Sequence, residues 1–278
     1  NKRPFYMQFI LDNLTAILSL IGTGVFAGLL AGMLGVGGGI VIVPVLFFLF
    51  QALGVSPESA MVIATATSLA TIVPTSVSSI RAHHSKGNVD FALLKAWAPF
   101  ILVGVLAGSY LVTVLNATYL TLLFGVIATL SAINMLLGKK DAIFSSLPGR
   151  IGQWIMAACI GLFSSMVGIG GGTLTVPTLT FCNYPAHRAV GTAAAVGLII
   201  SLPAAITLLF AGTTPIDAPF ATYGYVNLLG FICIVPLTVF FAPIGATIAS
   251  KLDAAMLKKV FAVVLIITGL RMLAQVFL

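Results

Sequence analysis

Residues 28–46, GLLAGMLGVGGGIVIVPVL, align without a gap to residues 161–179, GLFSSMVGIGGGTLTVPTL, and ten of the nineteen positions are identical. In each copy a glycine cluster is followed by a proline five residues beyond its last glycine, Pro44 in the first copy and Pro177 in the second. Such a long motif, present twice, indicates a duplicated structural unit. The sequence therefore predicts two related halves, residues 1–138 and 151–278, joined by a basic loop over residues 139–150.

The composition around the repeat is that of a membrane protein. Of the 278 residues, 60% are hydrophobic and 7% are charged, whereas about a quarter of a soluble domain is charged. Apolar stretches recur along the whole chain at lengths close to the ~20 residues that a helix needs to cross the hydrocarbon layer. The run at 91–115 shows no alternation of polar and apolar residues, which a transmembrane β-barrel would require. The predicted fold class is an all-α polytopic membrane protein.

Turn residues and charges divide the chain into ten apolar segments. They run over residues 14–34, 40–50, 60–80, 91–115, 118–137, 151–167, 173–182, 189–211, 225–249 and 254–278. The second and the seventh are short, reaching only about half the hydrocarbon thickness at ~1.5 Å per residue. Each directly follows a glycine cluster, so both are predicted to be half-helices.

The charges of the loops bear on topology. If every segment reverses the chain, the positive loops lie on one side of the membrane and the neutral or acidic loops on the other, as the positive-inside rule requires. The positive loops are 81–95, 139–150, 187–188 and 251–259, and the others are 51–58, 116–117 and 212–224. Five reversals in each half invert the halves relative to each other. One net crossing for each helix with its half-helix is the alternative, but it places loop 251–259 opposite loop 81–95. We therefore predict two inverted repeats of about five helical segments each.

A glycine cluster inside the membrane predicts a broken helix, because glycine allows positive φ and close backbone approach. The freed N–H and C=O groups cannot face lipid. At the start of the second half-helix the exposed groups are N–H donors at the positive end of a helix dipole, which suit an anion. Close packing of helices through small residues is the alternative explanation. The predicted substrate-binding glycines are Gly35, Gly37, Gly38 and Gly39 in the first half and Gly168, Gly170, Gly171 and Gly172 in the second.

Hydroxyl side chains near the clusters are further candidates for binding an oxyanion. They are Thr67 and Ser68 in the first half and Thr173 and Thr192 in the second. Hydrogen bonding to helix carbonyls is the ordinary alternative for such residues.

Basic groups near the membrane edge are candidates for gating or for attracting anions. We single out Arg81 and His83, although an orienting anchor explains Arg81 equally well. The roles of His83, His84 and His187 stay open at this point, a coupled proton being one of them.

The acidic residues exclude several classes of protein. All six lie at segment ends or in loops: Asp12, Glu58, Asp90, Asp141, Asp217 and Asp253. With no carboxylate at mid-membrane, a carboxylate proton relay or a carboxylate-liganded Na⁺ site is disfavoured. Paired acids, an H-E-x-x-H motif and a P-loop are also absent from the sequence, so we predict no enzymatic activity, no metal site and no cofactor.

The two glycine motifs, together with ATSLATIVPTSVSSIRAHHSKGNVD at residues 66–90, resemble the TauE/SafE family of sulfite and organosulfonate exporters. The likeness extends from about Val25 to Leu273. It implies a multi-pass permease of the bacterial or archaeal inner membrane that moves small sulfur oxyanions. The family pattern often has Thr-Ser after the second repeat's glycine, where this chain has Thr192 followed by Ala193.

These observations together predict a secondary transporter that exports sulfite or organosulfonates by alternating access. An anion channel, or a permease for a carboxylate or thiosulfate, is the alternative. The expected partners are a small anionic substrate and membrane lipid, but not nucleic acid, since the net charge of +7 lies mostly in loops. A coupling proton or cation, a homo-oligomeric state, the transport direction and the orientation of the N-terminus are left open.

Overall fold

The computed structural model describes residues 14–34, 38–137, 144–248 and 254–277. Within these ranges the chain forms ten helices and one short hairpin. The helices are α1 (Leu14–Leu34), α2 (Gly39–Ala52), α3 (Pro57–His84), α4 (Phe91–Val114), α5 (Ala117–Leu137), α6 (Arg150–Val167), α7 (Gly172–Phe181), α8 (Ala186–Phe210), α9 (Leu228–Ile248) and α10 (Ala254–Phe277), and the hairpin pairs β1 (Thr222–Tyr223) with β2 (Val226–Asn227).

The all-α prediction is confirmed, and the helices match the ten predicted segments to within a few residues at each end. Among the described residues, α3, α4, α5, α6, α8 and α9 are long and apolar enough to cross a membrane. The hairpin before α9 was not predicted, because residues 222–227 lack the alternation that marks a strand.

The two short helices follow the glycine clusters as predicted. Helix α7 has 10 residues and spans ~15 Å, about half of the ~30 Å hydrocarbon layer. Helix α2 has 14 residues and spans ~21 Å, because it continues past Phe50 to Ala52.

Helix packing repeats between the halves. The helices α1–α5 of the first half are matched in order with α6–α10 of the second half. The contact of α1 with α9 then corresponds to the contact of α6 with α4, and both pairs pack closely. The pair α3 and α9 likewise corresponds to α8 and α4, and both are in contact. Two further large interfaces join equivalent helices directly, α3 with α8 and α5 with α10. This exchange of partners is what a pseudo-two-fold arrangement of the halves requires.

Equivalent helices run in opposite directions where they touch. Ser76 of α3 lies near Gly197 of α8, whereas Asn88, beyond the end of α3, lies against Gly191 near the start of α8. In the other equivalent pair, Gly125 of α5 lies near Leu273 and Gly269 of α10 lies near Thr129. These directions agree with inverted repeats. The inversion relative to a membrane, and the division at residues 138 and 151, stay predictions.

Glycines permit the closest helix contacts. Gly24, Gly28 and Gly32 of α1 face α9, and an added Cβ at Gly32 would lie 1.8 Å from the Ala242 carbonyl oxygen. Gly104 of α4 faces α6 in the same way, and an added Cβ there would lie 2.0 Å from the Ala158 carbonyl oxygen. These four positions lie outside the two clusters and serve packing.

Candidate functional site

The second glycine cluster forms a helix break inside the protein. Helix α6 ends at Val167, and Gly168 follows with φ 73°, a left-handed conformation that favours glycine. Gly170 also has a positive φ, 67°, and α7 begins at Gly172. The chain therefore stops, turns and restarts as the sequence predicted, and all of residues 164–173 are buried.

The start of α7 presents unpaired hydrogen-bond donors. The Thr175 N–H donates to the Gly171 carbonyl oxygen over 2.9 Å, which begins the helical pattern. The preceding N–H groups of Gly172, Thr173 and Leu174 have no partner among the described residues. Unpaired donors in a buried position are costly unless a ligand or water meets them.

Unpaired hydroxyls occur on α7 and on the helices that meet at the second break. The Thr173 side chain is 6% exposed and its Oγ1 has no partner in the described part of the chain. Five other buried hydroxyls also have no hydrogen-bond partner among the described residues. They lie on α3, α6, α7 and α8: Thr65, Ser76, Ser164, Thr175 and Ser201.

Ser76 and Gly197 bring α3 and α8 to the second break. An added Cβ at Gly197 would lie 3.1 Å from the Ser76 Oγ and 3.7 Å from the Gly171 nitrogen. The unpaired Ser76 hydroxyl and the start of α7 therefore border the same small region. Neither residue was predicted from the sequence. Ser76 is one of eight hydroxyl residues in the stretch 65–79, and Gly197 belongs to no glycine cluster.

The two breaks lie against each other. An added Cβ at Gly39 would lie 2.5 Å from the Gly168 carbonyl oxygen, and Ser68 Oγ donates to that same oxygen over 2.7 Å. Gly38 has φ 78° and precedes the start of α2. Gly35 and Gly37 lie outside the described residues. Close packing, the alternative explanation for the glycines, thus accounts directly for Gly39, whereas it leaves the unpaired donors of α7 unexplained.

Thr67 and Thr192 lie away from the second break and make equivalent contacts. The Asn227 N–H donates to Thr67 Oγ1 over 2.8 Å, and the Asp90 N–H donates to Thr192 Oγ1 over 3.0 Å. Each threonine therefore joins α3 or α8 to the residue that precedes a helix of the opposite half. Both side chains are buried.

The two basic candidates differ in their surroundings. Arg81 is exposed, whereas His83 is 5% exposed and its Nε2 lies 3.1 Å from the Gly32 carbonyl oxygen on α1. His84 and His187 are exposed. Among the described residues no group of His, Cys, Asp or Glu could hold a metal ion.

The family model for the sulfite exporter TauE/SafE matches residues 20–272. This chain belongs to the TauE/SafE family.

Relatives of this TauE/SafE protein span nearly the whole of its length. It is 32% identical over 259 residues to a probable membrane transporter protein of Haemophilus influenzae, covering 93% of this chain and 98% of the relative. A probable membrane transporter protein of Methanocaldococcus jannaschii is 28% identical over 263 residues, with 91% and 94% covered. One from Bacillus subtilis is 25% identical over 279 residues, with 92% and 97% covered. No solved structure matches the chain significantly.

The family and these relatives establish a multi-pass membrane transporter and not an enzyme. Such a protein binds a small-molecule substrate and lies in membrane lipid. The prediction of membrane transport, first drawn from the glycine motifs, is confirmed at this level.

Proposed function

We propose that this TauE/SafE protein is a secondary transporter that exports small sulfur oxyanions, such as sulfite or organosulfonates. It would act by alternating access in the inner membrane of a bacterium or archaeon. The family description, sulfite exporter, supports the class of substrate. The repeated packing of the two halves supports alternating access, since many secondary transporters rock one repeat against another around a central site.

The observation that carries the binding site is the set of unpaired donors at the start of α7. Three consecutive N–H groups, those of Gly172, Thr173 and Leu174, have no partner in the described residues. Thr173 also carries an unpaired hydroxyl, and the unpaired Ser76 hydroxyl lies near Gly197, which packs against Gly171. Backbone donors at a helix start favour an anion, and a sulfonate or sulfite offers three oxygens to receive such bonds.

The other predicted residues are assigned supporting roles in this proposal. Gly38 and Gly39 form the facing break, and Gly168, Gly170 and Gly171 shape the second one. Gly35 and Gly37, which precede Gly38 in the sequence, stay predicted substrate-binding residues. Ser68 holds the break in place, because it donates to the Gly168 carbonyl oxygen.

Residues away from the break are proposed to act on the passing anion. The oxygens of Thr67 and Thr192 accept hydrogen bonds, so each hydroxyl hydrogen can still be donated. Arg81, which is exposed, is proposed to attract anions at the membrane edge, whereas His83, buried against the Gly32 carbonyl oxygen, is proposed to take part in gating.

Transport by purified protein in liposomes tests the function. Sulfite, sulfoacetate, taurine, thiosulfate, sulfate and acetate are offered, and we expect uptake of one or more sulfur oxyanions that is accelerated when the same anion is present on the opposite side. Uptake without that acceleration would indicate an anion channel. Transport of acetate alone would overturn the assignment to sulfur.

A further inference from the structure

A charged cluster joins the two halves just beyond the end of α3. Asp90 accepts hydrogen bonds from the Tyr184 hydroxyl and, over 2.8 Å, from Arg188 Nη2. Its N–H donates to Thr192. Asp90 precedes α4 of the first half, whereas its three partners lie before or within α8 of the second half. We refer to these four residues as the Asp90 latch.

A second cluster joins the halves at the start of α3. Asp217, in the loop after α8, accepts from the Ser59 hydroxyl over 2.6 Å and from the Ser56 N–H over 2.7 Å. Thr67 of α3 accepts from Asn227, the residue before α9. We refer to these five residues as the Asp217 latch.

The two latches are equivalent in topology. In each, the loop that follows the middle helix of one half, α3 or α8, is bonded to the beginning of the middle helix of the other half. Helix α3 has 28 residues and is therefore ~42 Å long. Asp90 lies just beyond its last residue, and Asp217 bonds Ser56 and Ser59 at its first turn, so the two aspartates are at opposite ends of α3.

The latches differ in charge. Burial disfavours the ionised Asp90, but hydrogen bonds from Tyr184 and the Leu93 N–H, together with the charge of Arg188, outweigh it and lower the pKa of Asp90. Burial and the bond to Asp90 raise the pKa of Tyr184 to about 12. In the other latch, hydrogen bonds from Ser59 and Ser56 lower the pKa of Asp217 to about 2. Both carboxylates are thus held ionised at neutral pH, one facing a cation and the other facing neutral donors.

The position of the binding region explains why the latches matter. It lies between α3 and α8, where Ser76 approaches Gly197 and Gly171. An anion reaches it only if the two middle helices separate at one end. The bonds that tie each end to the opposite half must break for that separation. The bonds of Asp217 and of Arg188 are exposed, and such bonds are weak enough to open. Lys86 Nζ, which donates to the Ala246 carbonyl oxygen of α9, must also release its bond at the Asp90 end.

We propose that the Asp90 latch and the Asp217 latch are the two gates of the transporter, and that each opens only while the other is closed. This inference rests on the alternating access proposed above, but not on the identity of the anion. It assigns gating roles to Asp90, Tyr184, Arg188, Asp217 and Ser59.

Accessibility of a cysteine in the binding region tests the gates. Cys159, Cys182 and Cys233 are first replaced by alanine, and Ser76→Cys is then introduced. Sealed vesicles of each orientation are prepared separately and treated with a membrane-impermeant thiol reagent. Asp90→Asn should increase labelling from the side of loop 85–90 and decrease it from the other side, each by roughly threefold to tenfold, because one charge-assisted bond is weakened. Asp217→Asn should have the opposite effect.

Glu58→Gln is the matched control. It removes one negative charge at the start of α3, as Asp217→Asn does in the loop beside it, but Glu58 belongs to neither latch. Labelling should therefore stay unchanged. Tyr184→Phe and Ser59→Ala remove single hydroxyls and should act in the same directions as Asp90→Asn and Asp217→Asn, which keeps the test decisive if an aspartate variant misfolds. Labelling ratios that match the parent in the folded latch variants would overturn the gates.

The outcome separates this inference from the proposed function. The labelling needs no substrate, so opposite shifts in the two variants would establish the gates even if liposomes transported no sulfur oxyanion. Conversely, transport of sulfite with labelling unaffected by either variant would retain the function and reject the gates.

Discussion

At the scale of single residues, the contact of Gly197 with Ser76 allows a test of the anion site proposed at the second break. Ser76 is 1% exposed and its Oγ is unpaired among the described residues, and an added Cβ at Gly197 would lie 3.1 Å from that oxygen and 3.7 Å from the Gly171 nitrogen. This contact concerns one methyl group and one hydroxyl. It can therefore be tested without disturbing the fold.

We predict that Gly197→Ala lowers transport roughly tenfold, because the added methyl group displaces a hydrogen bond to the anion. The melting temperature in detergent should stay equal or rise, since alanine favours a helix by ~1 kcal/mol over glycine. The nearest contact would be 3.1 Å to a flexible side chain. Gly22→Ala is the control, since an added Cβ there meets no atom within 4 Å. Normal transport by Gly197→Ala would exclude this region from the pathway.

Substitutions at the break glycines themselves are less informative. A side chain at Gly171 would lie 2.8 Å from the Gly197 nitrogen, and Gly38 has a positive φ with the Ala27 carbonyl oxygen 2.9 Å from an added Cβ. Valine at either position would strain the backbone packing, so lost transport would not distinguish a damaged site from a damaged fold.

At the scale of helices, much of the architecture was predictable because the membrane imposes length and hydrophobicity on each segment. The ten segments and the two short helices after the glycine clusters followed from the sequence. The contacts at Asp90 and Asp217 did not, because their partners Arg188 and Ser59 are 98 and 158 residues away. Only folding brings such polar loop residues together. Ser76 was hidden for a similar reason: its unpaired state depends on where Gly197 lies.

The close contact between α1 and α9 depends on glycine. We predict that Gly32→Ala lowers the free energy of unfolding by about 1–3 kcal/mol, a typical cost of overpacking, because its Cβ would lie 1.8 Å from the Ala242 carbonyl oxygen. Gly22→Ala on the same helix is the control and should be neutral or slightly stabilising. Thermal unfolding in detergent measures both, and an unchanged melting temperature for Gly32→Ala would contradict this packing.

At the scale of the whole molecule, two independent arguments lead to inverted halves. The loop charges require five reversals in each half if the positive loops are to share one side. The contacts place α3 antiparallel to its equivalent α8. A parallel duplication would instead place equivalent helices in the same direction, and the two latches could not then lie at opposite ends of α3.

Inversion makes a prediction about the sides of two loops. Ser85, after α3, and Thr214, after α8, are both exposed, and they follow equivalent helices. If the halves are inverted, single cysteines at Ser85→Cys and Thr214→Cys lie on opposite sides, with Ser85 on the cytoplasmic side because its loop is basic. An impermeant maleimide applied to intact cells should label Thr214→Cys and should reach Ser85→Cys only after permeabilisation. Labelling of both from one side would refute the inversion, and the gates proposed at the two ends of α3 would fall with it.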